Sequence, residues 1–366
     1  MTVHVVTDSG SCLPPALAEE YGITVLDLHT SGVVSAKAAV EDATTDGAEG
    51  ADGADSADST DGVDGGDASP ATEKDGDTES AGVEEAADDA ESAGDTRDTE
   101  DTEENERPTT SALGPLELTA AYARLLERGG DEGVVAIHLS KALSSTWTSA
   151  VQAAGIFDGK VSVIDTRSAG MVLGQAAIAA ATASANGGTL AECAAAAQEV
   201  IDGSHVWLVV SHLDLLSRGG RLSTGQRLLS TALAIKPILH LSQGKLEVAA
   251  KTRTRSKSLE RLVLLAEDAY REIAEPPQED PQAEQSEDVR RRRRRRQEER
   301  TPLRQLPSVP MHLAVHQVGD EESAEHLRRE LRDALPECVV ISMVDITPAI
   351  AVHTGAGAIG VTLVKG

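Results

Sequence analysis

The chain has 366 residues and a formal net charge of −28 at pH 7, with 40% hydrophobic but only 2% aromatic residues, so alanine and aliphatic side chains must fill any core. The charge is concentrated: residues 41–107 carry 26 acidic side chains against Lys74, Arg97 and Arg107, leaving a net of −5 elsewhere and no general basic face for nucleic acid. Cys12, Cys193 and Cys338 stand far apart without CxxC spacing, which argues against a disulfide framework or a thiolate metal site, and the absence of a leader pattern or a long apolar run predicts a soluble, cytoplasmic protein.

At the start, "VHVVT" (residues 3–7) is a β-branched run closed by Asp-Ser-Gly-Ser, and "LPPALAEEYG" carries proline near its start and glycine at its end, predicting strand, polar loop and helix. "ITVLDLHT" predicts a second strand. Residues 36–107 are Asp, Glu, Gly, Ala, Ser and Thr, too poor in aliphatic groups to offset their ordering entropy, and predict a disordered acidic insert. Order resumes in "PLELTAAYARLLERGG", where Leu116, Leu118, Tyr122, Leu125 and Leu126 recur near helical spacing. Next come a buried strand, "EGVVAIHLS", a hydroxyl-rich loop running into a helix, "KALSSTWTSA", and the strand "VSVIDT". A small-residue helix, "SAGMVLGQAAIAAATASANGG", precedes "TLAECAAAAQEVID", which opens with Thr189 and Glu192 in capping-box relation. This alternation implies a parallel sheet with flanking helices.

From His205 the pattern continues as strand "VWLVVS", helix "LDLLSRGG", the segment "RLSTGQRLLSTALAI", a hairpin "KPILHLSQGKLEVAAKT" turning at Gln243-Gly244, and helix "SKSLERLVLLAEDAYREIA". Residues 275–308 form a second low-complexity insert containing Arg290 to Arg296. After it come a strand, the helix "ESAEHLRRELRDAL", the strand "CVVISMVD" and a glycine-rich end, "HTGAGAIGVTLV". The predicted fold is two α/β domains: residues 1–204 with a parallel sheet and flanking helices, and residues 205–366 as a smaller mixed-sheet domain, each with one insert. The arginine run reads as part of a surface insert, with transient contact at an anionic membrane surface as the alternative and no specific nucleic-acid partner.

Four segments rich in small hydroxyl and glycine residues lie at expected strand ends: Asp8 to Ser11, Thr109 to Ser111, Leu143 to Trp147, and His353 to Gly357. In an α/β sheet such loops form the usual ligand crevice, and their hydroxyls and amides suit an oxyanion. Each alone is weak evidence, because Ser and Thr at helix starts are mostly plain caps. No phosphate loop, no GxSxG elbow and no metal cluster is expected. A Ser144–His353 pair keeps an acyl ester hydrolase open as the second reading.

The order of these segments resembles the DegV family. "VTDSGSCLPPALAEEYGITVLDL" is similar to that family's opening, "TTS" to its Thr-Ser-x-Pro loop, and "HLSKALSSTWTSA" to its Ser-Ser-x-Leu-Ser-Gly-Thr-Tyr segment. "VSVIDTRSAGMVLG", "LDLLSRGGRLS", "AIKPILHLSQGKLEV", "KTRTRSKSLERL" and "HTGAGAIG" follow in the family's order. The resemblance implies a two-domain protein that buries one long-chain fatty acid. In many bacteria such a protein is the acyl-binding subunit of a fatty acid kinase, whose ATP-binding partner phosphorylates the presented carboxylate. It implies no catalytic residue, cofactor or metal in this chain. By motif position, Thr110 and Ser144 resemble the hydroxyls that bond the carboxylate, His353 the imidazole completing the cluster, and Arg221 the basic residue that handles the head group. Ser111, Ser145, Thr146 and Thr354 flank them as further ligand-binding candidates. Ser145 replaces the family's glycine, at a cost of roughly 1 kcal/mol if that backbone needs positive φ. Lys141, Trp147 and Ala356 replace the family's Ser, Tyr and Pro.

Overall fold

The computed structural model describes residues 2–32, 108–130, 132–211, 213–222, 235–275 and 302–366. The first insert, residues 276–301 of the second with Arg290 to Arg296, and most of "RLSTGQRLLSTALAI" lie outside the described residues. In chain order the elements are β1 (His4–Asp8), α1 (Pro15–Glu20), β2 (Thr24–Leu26), β3 (His29–Ser31), β4 (Thr109–Ser111), α2 (Pro115–Gly129), β5 (Val134–His138), α3 (Thr146–Ala154), β6 (Val161–Asp165), α4 (Met171–Ala185) and α5 (Leu190–Asp202). There follow β7 (His205–Val209), α6 (Leu213–Arg218), β8 (Lys236–Ser242), β9 (Lys245–Thr252), α7 (Arg255–Ala274), β10 (Met311–Gln317), α8 (Glu321–Ala334), β11 (Val339–Asp345), α9 (Pro348–Thr354) and β12 (Ile359–Lys365).

The α/β architecture agrees with the pattern in the sequence. Strands before residue 205 build a four-stranded sheet, order β2-β1-β5-β6, parallel throughout. Strands after it build a six-stranded sheet, order β11-β10-β12-β7-β8-β9, parallel only between β10 and β11. β5 is buried along its whole length, as a parallel strand covered on both faces must be. Thr189 and Glu192 form the expected capping box at α5.

Four local expectations change. "ITVLDLHT" is two short strands, because β2 pairs with β1 while β3 turns away to pair antiparallel with β4. "TTS" is therefore a strand, with Thr110 opposite Thr30, rather than a loop. His353 and Thr354 close a helix, α9, instead of lying in a glycine-rich loop; Pro348 starts that helix and Gly355, at φ +72°, ends it. Residues 302–308, expected within the second insert, belong to the fold: a turn of 3-10 helix over Leu303–Gln305 buries Leu303 and Leu306 in the mixed sheet's outer cluster.

α4 joins the halves. Its Met, Val, Leu, Gly, Ala and Ser side chains are buried nearly all round, the mark of an internal helix, and it touches β1 and β5 on one side and β12 on the other. The opposite face of the mixed sheet is covered by α7 and α8 through Leu262, Tyr270, Leu327 and Leu331. The β8–β9 turn, Gln243-Gly244, reaches the first sheet: Ser140 Oγ donates to the Gly244 carbonyl at 2.9 Å, and a Cβ on Gly244 would stand 2.6 Å from that hydroxyl.

A fully buried polar chain fixes the C-terminal ends of β1 and β5. The Asp8 carboxylate accepts from the backbone N–H groups of Gly10 at 2.9 Å and Leu139 at 3.0 Å and pairs with His138 Nδ1 at 3.0 Å; His138 Nε2 then meets Tyr122 Oη at 3.0 Å. Removing the acceptor leaves three buried donors unpaired, each costing about 1–3 kcal/mol. Asp8→Ala is expected to lose at least about 3 kcal/mol in urea unfolding; a loss under about 1 kcal/mol would show that the network does not hold these loops.

Candidate functional site

A cavity of about 390 Å³ opens between the inner face of the mixed sheet, the start of α4, and the elements α6, α9 and β4. That volume lies within the range of about 300–1,000 Å³ usual for small-molecule sites. Its walls are mainly aliphatic: Leu28, Leu139 and Leu143 come from the first half of the chain, and Leu208, Leu216, Leu241, Leu246, Ile346 and Ile350 from the second. Alternation along β7 sends Val206 and Leu208 into this space and Trp207 toward the outer cluster.

Polar groups gather where α9, α6, β4 and the start of α3 converge. The β3–β4 ribbon packs on α9 and brings Thr110 Oγ1 to 2.7 Å from His353 Nε2, a contact across 243 residues of sequence. Arg221 follows a Schellman close of α6. The Arg221 N–H bonds the Leu216 carbonyl and the Gly220 N–H bonds that of Ser217, with Gly220 at φ +73°. The Arg221 guanidinium then bridges to two carbonyls, Leu143 through Nε at 3.2 Å and Gly219 through Nη1, which fixes it on the cavity wall. Gly219 lies so near the imidazole that a Cβ there would stand 3.0 Å from His353 Nδ1. Burial, and after it the Arg221 charge, lowers the His353 pKa from 6.5 to about 4, so the ring is neutral at physiological pH. Burial likewise lowers that of Arg221.

Seven of the eight expected residues, Thr110, Ser111, Ser144, Ser145, Arg221, His353 and Thr354, line this one cavity. The eighth, Thr146, is fully buried behind it: its Oγ1 meets Ser144 Oγ at 3.0 Å and accepts from the Leu113 N–H at 3.4 Å, tying the hydroxyl loop to the start of α2. Thr354 donates its hydroxyl to the Ile350 carbonyl one turn back. Ser144 Oγ pairs with Thr146 and accepts from its N–H at 3.2 Å, while His353 Nε2 pairs with Thr110; the Ser-His pair that a hydrolase would need is not formed. Ser145 sits at φ −79°, so the glycine replacement carries no backbone cost in this conformation. Lys141 turns away, its Nζ 3.4 Å from Asp165 Oδ2 and 4.8 Å from the centre of the Trp147 ring.

Two polar cavity residues escape a reading based on loops, His316 on β10 and Thr362 on β12. Their sequence signal is a polar side chain at an inward position of an apolar strand. His312 and His316 do share HxxxH spacing, which on a helix would pair two metal ligands. On an extended strand the same spacing separates them by about 13 Å.

Comparison with known proteins bears on the same segments. The family model described as "Uncharacterised protein, DegV family" matches residues 87–277 and 304–366. A DegV domain-containing protein of Corynebacterium glutamicum is 41% identical over 260 residues, covering 71% of this chain and 82% of that one. The crystal structure of a DegV family protein from Corynebacterium glutamicum superposes with a TM-score of 0.68 at 32% identity, covering 100% of this chain and 98% of that one. A DegV family protein from Thermus thermophilus, described as fatty acid binding, gives a TM-score of 0.68 at 22% identity with 100% coverage of both chains.

The His353 environment sets a pH dependence. An imidazole whose folded pKa lies below its unfolded value takes its proton later in the folded state, so its contribution to stability is complete above about pH 6.5 and is lost as pH falls toward 4. NMR titration should place the His353 midpoint near 4, and Arg221→Leu should raise it by removing a neighbouring positive charge; a midpoint near 6.5 in the intact protein would contradict the buried, neutral assignment.

Proposed function

Because this chain belongs to the DegV family, we propose that it binds one long-chain fatty acid, with the carboxylate at the Thr110, Ser144 and His353 cluster, Arg221 beside it for handling of the head group, and the acyl tail in the aliphatic cavity. The observation that carries this reading is the cavity itself, which gathers hydroxyl, imidazole and guanidinium donors in one place and leaves leucine and isoleucine walls elsewhere. A carboxylate offers about four lone-pair directions, which these donors suit. The tail supplies affinity at about 0.8 kcal/mol per buried CH₂, and the head-group cluster supplies orientation. The Thermus thermophilus relative's description as fatty acid binding supports the same reading.

The chain acts as a carrier in the cytoplasm, without chemistry of its own, and the halves 1–204 and 205–366 serve as two domains that meet on the lipid. Its partner is a separate ATP-binding fatty acid kinase, which phosphorylates the presented carboxylate to an acyl-phosphate. Arg221 suits this handover because it lines the same cavity as Thr110, Ser144 and His353 while its own backbone is locked by the close of α6.

Native mass spectrometry of protein purified from bacteria should find one fatty acid per chain. After delipidation, Thr110→Val and Ser144→Ala should each weaken fatty-acid binding about fivefold, the worth of one neutral hydrogen bond. Arg221→Ala should retain lipid but lose acyl-phosphate formation when kinase and ATP are added. A protein that carries no fatty acid and takes none up would sink the proposal.

A further inference from the structure

Resting on the fatty-acid reading, the geometry points to a second polar contact inside the tail chamber: His316 recognises an oxygen substituent, a hydroxyl or keto group, on the acyl chain. His316 is 4% exposed and Thr362 is 3% exposed, and both line the cavity among aliphatic side chains. They lie on adjacent strands, β10 and β12, with the His316 ring opening toward the start of α4.

The hydrogen bonds determine the tautomer. The Met171 backbone N–H, at the first position of α4, can only donate, and it points at His316 Nε2 at 3.4 Å. Nε2 therefore presents its lone pair, which the Thr362 hydroxyl, 3.2 Å away, also meets as a donor. In the neutral ring the proton then resides on Nδ1. Burial lowers the pKa of this imidazole to about 4, which keeps it neutral. No donor or acceptor among the described residues pairs with Nδ1. Covering an N–H with an apolar tail that offers no acceptor costs about 1–3 kcal/mol, which an oxygen on the tail would remove.

The ring cannot swing elsewhere to find a partner. Gly170, at φ +67°, presses against it so closely that a Cβ there would stand 2.9 Å from Cε1, and Gly360 on β12 approaches its Cβ from the other side. A donor fixed in place on the cavity wall, among aliphatic side chains, discriminates by the presence and position of one acceptor. The substrate class so defined is a mono-oxygenated long-chain fatty acid, whose carboxylate occupies the Thr110 and His353 cluster while its chain oxygen meets Nδ1.

The test is competition binding by isothermal titration calorimetry on the delipidated full chain, using stearic acid and a set of its mono-hydroxy and mono-keto positional isomers. At least one isomer should bind about fivefold more tightly than stearic acid, as one added hydrogen bond allows. His316→Leu and His316→Phe, which keep the site apolar and filled, should each abolish that preference while stearic acid still binds. If every isomer binds no better than stearic acid, or the preference survives in either variant, the inference is overturned and fatty-acid binding stands. If stearic acid itself does not bind the intact protein, the reading beneath it falls as well.

Discussion

The structure depends on the burial of α4 between two sheets. A helix can touch a sheet on each side only if its own side chains are small, and Gly174, Ala176, Ala177, Ala180, Ala181 and Ser184 meet that condition. Gly174 has so little room that a Cβ would stand 2.8 Å from the Met171 sulfur. The two sheets thereby share one apolar cluster, in which Ala314 and Val364 of the mixed sheet join residues of the first half. Where α4 begins, its thickness no longer separates the sheets, and the space that remains is the cavity, with Gly170 at its wall.

The polar groups around that cavity are held by interactions that do not involve a ligand. Asp8 and His138 secure the ends of β1 and β5, Ser140 holds the following loop through the Leu143 and Ser144 N–H groups, and Thr146 secures Ser144. On the other side the Schellman close of α6 aims Arg221, and the glycine at 219 lets His353 approach. Such anchoring favours binding because little side-chain freedom is lost when a ligand arrives. It also explains why two short helices, α6 and α9, persist at the rim of a cavity: each ends in a hydrogen-bonded cap that continues into a cluster residue or a strand.

Much of the architecture was legible in the sequence because hydrophobic periodicity and capping are local. The alternation of strands and helices, the capping box at Thr189 and the hairpin turn at Gln243-Gly244 are all read within a dozen residues. What stayed hidden is non-local. "TTS" carries no alternation of its own and becomes a strand only because β3, on the far side of the long acidic segment, pairs with it. His353 looks like part of a glycine-rich loop because Thr354 and Gly355 follow it, whereas Pro348 and the apolar residues after it already commit the chain to a helix. The candidate site was legible where hydroxyls cluster in sequence and illegible where strands contribute single inward residues, as at His316 and Thr362. Their meaning depends on which strand lies beside which, and sheet order is set by the whole chain.

On the function proposed above, the bond between Thr110 and His353 makes head-group capture an exchange. An arriving carboxylate must take the place of a contact that is already satisfied, so the net gain at the head group is the difference between two hydrogen-bonding arrangements. Residence time is then governed chiefly by how much chain must be drawn back into water, and short acids leave quickly even when their carboxylates fit.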